Sequence, residues 1–197
     1  LVQKATGERC EVVCDPTMLL DADKWSDVSA NSNVEVPNEP YVLCYFMGKN
    51  VWNRECAVRL AHERGLKIVA IAHPDEYVKY DESYADIYPW DAGPAEWVSL
   101  ISHASYVCTD SFHGSVFSNI FHVPFSSFRR HENMGSQSTN SRIDTLLNVL
   151  GDADRICESP EQFAAVSARD IDFGLVEARL EAYRSKSACW LSSALEL

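Results

Sequence analysis

Residues 104–128, ASYVCTDSFHGSVFSNIFHVPFSSF, decide how the rest of the chain is read. The apolar run Tyr106-Val107-Cys108 stops at the polar cluster Thr109-Asp110-Ser111. His113 and Gly114 follow, then a segment of helical character, and a second apolar run begins at Val123. Strand, tight turn, helix and strand in that order make a parallel βαβ unit. Ligands of such units sit where the first strand ends and the helix begins. The helix N-terminus there offers free N–H groups and the positive end of its dipole to an anion. Ser111 to Gly114 occupy that junction, so the stretch predicts an anion site.

The same alternation extends to both sides. Tyr41 to Phe46 is a continuous apolar run ended by Gly48, as expected for a strand buried on both faces. A helix is expected from about Val51 to Arg64, with Cys56, Ala57, Leu60 and Ala61 on one stripe and Gly65 as C-cap. Lys67 to Ala72 reads as a second buried strand. Residues 75–92 are acidic and tyrosine-rich, with a short strand near Ile87-Tyr88. Asp91 or Gly93 caps a helix that Pro94 opens, with Trp97, Leu100, Ile101 and Ala104 inward. Residues 131–140 show no periodicity and read as a mobile loop. Beyond it, Ser141 caps a helix to Leu150, Ser159-Pro160 starts a short one, and Asp172 caps a long final one. Upstream, Val12-Val13-Cys14 is strand-like and Asp21 to Pro40 reads as a polar connector. The pattern predicts an α/β domain with a parallel sheet flanked by helices over residues 39–197. Residues 1–38 are then the remnant of an upstream domain and its linker.

Composition narrows the function classes. A chain of 197 residues can bury a substantial core, and its net charge of −12 argues against a nucleic-acid surface. A small anion held by a few local arginines remains compatible with that charge. No apolar run approaches the ~18 residues of a membrane span. Seven cysteines are widely spaced, with neither a CxxC pair nor zinc-ligand spacing. They suggest a reducing compartment and no structural metal.

Within the motif, Asp110 or Ser111 can cap the helix, and His113 then projects from the first turn. Gly114 removes a side chain and lets a ligand approach the backbone. Arg129 and Arg130 follow a buried strand, so they too belong to the carboxyl edge of the sheet. Arginine forks bind phosphate and carboxylate bidentately. Arg142, past the loop, is placed to close over the same site. Taken singly, each arginine reads as readily as a surface residue paired with an acid. His73, His103 and His122 read as loop or surface histidines, and Tyr77, Tyr80, Tyr84 and Tyr88 as either a sugar-stacking series or a cover for the core.

Four stretches together resemble the C-terminal half of polysaccharide pyruvyl transferases: DPTMLL (15–20), YVLCYFMG (41–48), residues 93–125 with TDSFHG, and NSRIDTLLNVLG (140–151). The resemblance implies one Rossmann-like half of a GT-B-type architecture, with the active site in a cleft against a missing N-terminal domain. It implies a donor, phosphoenolpyruvate, whose pyruvate is placed as a ketal on sugar hydroxyls of a surface polysaccharide precursor, with no further cofactor. His113 is then the general acid. Ser111, Gly114, Ser115, Arg129, Arg130 and Arg142 hold phosphate and carboxylate, with Asp110 and Asn140 in support. The implied location is the cytoplasm or the inner face of the membrane, and the isolated half is expected to bind without turning over. Two alternatives stay open. One is a GT-B glycosyltransferase or sugar-nucleotide epimerase domain holding a nucleotide sugar, and the other is a non-catalytic binding module.

Overall fold

Five short strands carry the architecture of the computed structural model, which describes residues 2–8, 10–72, 77–130 and 140–195. They are β1 (Tyr41–Tyr45), β2 (Lys67–Ala70), β3 (Tyr106–Thr109), β4 (Phe125–Phe128) and β5 (Ile156–Cys157). All pair in parallel, in the order β2-β1-β3-β4-β5. The helices are α1 (Val2–Thr6), α2 (Ala22–Ser29), α3 (Val51–Arg64), α4 (Pro94–Ser102), α5 (Phe112–Ile120), α6 (Asn140–Leu150), α7 (Pro160–Ser167) and α8 (Phe173–Ala194).

The two-residue period of the strands sorts their side chains onto two cores. Leu43, Val107 and Phe125 face one way, against Ile101 of α4, Val116 of α5 and Leu147 of α6. Val42, Cys44, Tyr106 and Cys108 face the other way, against Ala57 and Leu60 of α3 and Phe163 of α7. Burial on both faces explains why these strands read as unbroken apolar runs. Because the strands are parallel, their carboxyl ends share one edge. From β1 the chain moves outward to β2, then returns to β3 on the other side, so the topological switch point lies between β1 and β3.

Most caps lie where the sequence places them. Gly65 closes α3 at φ 64°, Pro94 opens α4 behind Gly93, and the Ser159 and Asp172 side chains cap α7 and α8. Several expectations are corrected. Val12 to Cys14 take no regular structure, and near Ile87 there is only an isolated bridge to Val69. The two-residue strand β5 is too short to show as an apolar run. The expected mobile loop lies, for residues 131–139, outside the described residues.

The expected connector of residues 21–40 contains α2. Asp21 caps it by accepting from the Lys24 N–H at 2.9 Å, and Trp25 meets Phe117 of α5 edge-on, with ring centroids 4.8 Å apart. Nor does packing stop at the expected boundary of residue 38. Met18 is 1% exposed within the core of the sheet. Helix α8 holds the segment in place: Arg184 donates to the Met18 and Leu20 carbonyls, and the Ser187 hydroxyl accepts from the Cys14 N–H at 2.9 Å.

Arg184 is therefore the clamp for residues 14–20. Arg184→Met is expected to lower unfolding stability by about 1–3 kcal/mol, since two carbonyls lose a charged donor. A shift of the urea midpoint at unchanged slope measures it; an unshifted midpoint would show that the segment is not held by this residue.

Candidate active site

The carboxyl edge is fastened at the switch point by one buried carboxylate. Asp110, at the end of β3, accepts from the Met47 N–H at 2.6 Å and the Gly48 N–H at 2.9 Å, both just beyond β1. Arg130 donates to the Asp110 main-chain oxygen at 3.1 Å and lies 3.7 Å from its carboxylate. Burial raises the Asp110 pKa, against the opposing pull of the Met47 N–H, Arg130 and the Gly48 N–H. Gly48 makes this approach possible, because a Cβ there would stand 2.9 Å from both Asp110 Oδ2 and Arg130 Cγ. Asp110 thus joins two strands, and Ser111 alone caps α5, accepting from the Gly114 N–H at 3.4 Å.

Ahead of that cap, the N–H groups of Phe112 and His113 open α5 and have no partner within the helix. The His113 side chain is half exposed, with Nε2 3.7 Å from Asp15 Oδ1. The other Asp15 oxygen lies 3.4 Å from Arg142 Nη2, and the Arg142 guanidinium sits 4.2 Å above the Phe112 ring. Asp15 is itself fixed by the Thr17 hydroxyl at 2.7 Å and the Thr17 N–H at 3.1 Å. Burial works against the Asp15 charge, but the Thr17 bonds, His113 and Arg142 outweigh it and hold the carboxyl below its usual range.

The expected site residues separate into three groups. His113, Ser111 and Arg142 come together at the start of α5, and Arg130 lies at the neighbouring switch point. Arg129 does not join them: it binds Asp144 at 2.6 Å and Glu158 at 3.0 Å. The reason is local, since Asp144 of α6 and Glu158, just past β5, stand beside Arg129 and take its guanidinium. Gly114 and Ser115 are buried and face inward. The space left by Gly114 is filled by Thr109, whose Cβ would stand 2.9 Å from an added methyl, so this glycine serves helix–strand packing. The Ser115 hydroxyl is 3.2 Å from that of Ser127 on β4. Asn140 starts α6; the support expected of it concerns a side chain outside the described residues.

Two features escaped the sequence. One is the role of Asp15, which opens the DPTMLL stretch but lies 98 positions before His113 (113 − 15). The other is a cleft of about 620 Å³ beside the switch point, walled by Trp25, Tyr45, Met47, Ile71 and Trp97, with His113 on its lining. Tyr45 and Trp97 meet edge-on at 5.5 Å, and Trp97 Nε1 is buried with no partner among the described residues. A smaller pocket of about 320 Å³ is lined by Asp15, Phe112 and Arg142. His113 borders the larger cleft while its carboxylate partner borders the smaller pocket. Among the described residues no three His, Cys, Asp or Glu side chains gather as a metal-holding group, and no helix is long and apolar enough to cross a membrane.

The family profile described as polysaccharide pyruvyl transferase matches residues 2–132, which span α1 to β4 and include Asp15, Asp110 and His113. The chain belongs to the polysaccharide pyruvyl transferase family. The matched region ends before Arg142, so the 140–151 stretch lies outside it. Among curated proteins no match is found. Of solved structures, a mutant O-GlcNAc transferase of Thermobaculum terrenum aligns over 93% of this chain and 38% of its own, at 13% identity and a TM-score of 0.49. UDP-GlcNAc 2-epimerase from Neisseria meningitidis, bound to UDP-GlcNAc, aligns over 82% of this chain and 46% of its own, at 14% identity and a TM-score of 0.41. The chain thus spans less than half the length of these structures.

Asp15 gives a test of this site by pH. A carboxyl held low in the folded state contributes stability above its unfolded pKa and loses it as pH falls through the folded value. Asp15→Asn is therefore expected to be less stable than the parent at pH 7, with the gap closing below about pH 4. Urea midpoints across pH measure it; a gap that stays constant would mean that the Asp15 charge contributes nothing.

Proposed function

We propose that this chain is the donor-binding half of an enzyme that transfers pyruvate from phosphoenolpyruvate to a pair of saccharide hydroxyls as a ketal. One observation carries the reading: His113 stands on the first turn of α5, with Asp15 and Arg142 beside it, at the carboxyl edge of the sheet. Phosphoenolpyruvate carries a phosphate and a carboxylate on one small frame. The N–H groups at the start of α5, with Arg130 nearby, suit the phosphate. Arg142 suits the carboxylate, exchanging its contact with Asp15 for the donor.

The reaction needs a proton at the methylene carbon, which leaves C2 electron-poor and open to an acceptor hydroxyl. In this reading His113 supplies that proton, and Asp15 holds the ring and stabilises its protonated form. The first hydroxyl forms a C–O bond to C2 and gives up its proton. The C2–O bond to phosphate then breaks, and the second hydroxyl closes the ketal with loss of its own proton. A base for those protons is assigned to a second Rossmann-like domain facing the cleft, in the GT-B manner. The apolar cleft at His113 receives the sugar ring, whose C–H faces suit Tyr45 and Trp97. The proposed setting is the cytoplasmic side of the membrane, where polysaccharide precursors are built.

Thermal-shift titration of the protein should favour phosphoenolpyruvate over UDP-GlcNAc, with a gain of about 2.7 kcal/mol at 100 times Kd. A shift with UDP-GlcNAc alone would replace this reading with a nucleotide-sugar enzyme. In the intact enzyme, His113→Ala is expected to lower pyruvyl transfer by roughly 10²–10⁴-fold at an unchanged unfolding midpoint. Normal turnover in that variant would remove His113 from the chemistry.

A further inference from the structure

The segment between β2 and α4 carries an aromatic ladder that the transfer chemistry leaves unused. Its foot is Tyr84, packed against the core that holds Cys44 of β1. Tyr88 meets Tyr84 edge-on at 6.4 Å, and its hydroxyl accepts from the Ala85 N–H at 2.9 Å. Trp90 lies nearly flat on Tyr88, with centroids 5.5 Å apart and planes 17° apart. Yet Trp90 is 76% exposed. An indole on the surface normally turns to cover apolar neighbours, whereas this one is held flat through two tyrosines to the core. It is a rigid platform with one face against Tyr88 and the other open.

Its surroundings select the ligand. Asp91 follows directly and lines a groove of about 540 Å³ together with Glu35 and Glu96. Carboxylates only accept hydrogen bonds, so they suit hydroxyl donors and repel polyanions. Trp90 itself stands outside that groove and Glu96 already accepts from the Asn33 and Gly93 N–H groups, so Asp91 is the carboxylate next to the platform. An open aromatic face followed directly by a carboxylate fits the C–H face and an edge hydroxyl of an uncharged sugar ring. Ala92, Gly93 and Pro94, the next residues along the chain, line the cleft that His113 also lines. The platform therefore continues outward from the proposed site of transfer.

We propose that Trp90 binds a sugar ring of the acceptor chain, outside the residue that receives pyruvate. The inference rests on the reading of a saccharide acceptor and adds where the rest of that chain lies. A polysaccharide precursor extends beyond the modified unit, and Trp90 holds the extension against the 87–93 edge. It predicts a preference for oligosaccharides over single sugars.

Isothermal titration tests it on the protein with β-1,4-glucose, β-1,4-mannose and β-1,3-galactose tetrasaccharides and the matching monosaccharides. At least one tetrasaccharide is expected to bind, its monosaccharide more weakly. Trp90→Ala should weaken the tetrasaccharide by roughly tenfold and Trp90→Phe by less. Unaltered unfolding midpoints would confirm that both Trp90 variants fold. Binding of no tetrasaccharide, or equal binding by Trp90→Ala, overturns the proposal. Phosphoenolpyruvate binding in the same samples separates the two readings. Its absence beside intact, Trp90-dependent saccharide binding removes the donor, and its presence without such binding removes Trp90 alone.

Discussion

The carboxylate of Asp110 spans the gap between β1 and β3, and the working edge of the sheet is built around that span. Parallel strands in this order diverge at the switch point, leaving backbone N–H groups beyond β1 without a ladder partner. Asp110 satisfies two of them from inside the protein, where a charged acceptor is worth more than a neutral one and an unpaired one costs most. The same bonds draw Gly48 against Arg130 and set the start of α3 beside the end of β4, where the Asn50 amide donates to the Arg129 carbonyl. The aromatic cleft opens beside this fastening, with Tyr45 and Met47 contributed from the β1 side.

On that edge, groups from three distant parts of the chain meet. A protein of net charge −12 brings a histidine and an arginine to one carboxylate, Asp15. In the proposed reading an anionic donor competes with Asp15 for the same partners. That reading makes Asp15 a placeholder for Arg142 and a support for His113, and its two oxygens do face these different residues.

The sheet was legible because burial on both faces writes each long strand as an apolar run, and Gly48, Gly65 and Pro94 punctuate the runs. The motif at 109–114 was legible for the same reason: it interrupts an apolar run with a cap and a histidine. What stayed hidden depends on the third dimension. Strand β5 has two residues and leaves no pattern. Helix α2 hides in a polar stretch, because only Trp25 and its neighbours pack and the other positions are solvated. The arginines just past β4 divided by their acidic partners, Arg130 to Asp110 and Arg129 to Asp144 and Glu158, which lie far apart in the sequence. Gly114 looked like room for a ligand and is room for Thr109. Asp15 opened a stretch that carried the resemblance, but its role stayed hidden, since that comes from a contact with a residue far along the chain.

The clamp of α8 on residues 14–20 has a kinetic consequence. Its hydrogen bonds join positions 166 and 173 residues apart, so they close a loop of nearly the whole chain. Closing so long a loop is entropically unfavourable until the intervening elements have condensed. Asp15 therefore finds its place late, after the elements between it and α8 have condensed. The anchoring of its segment is thus tied to global folding, and the histidine gains its carboxylate only once the far end of the chain has docked.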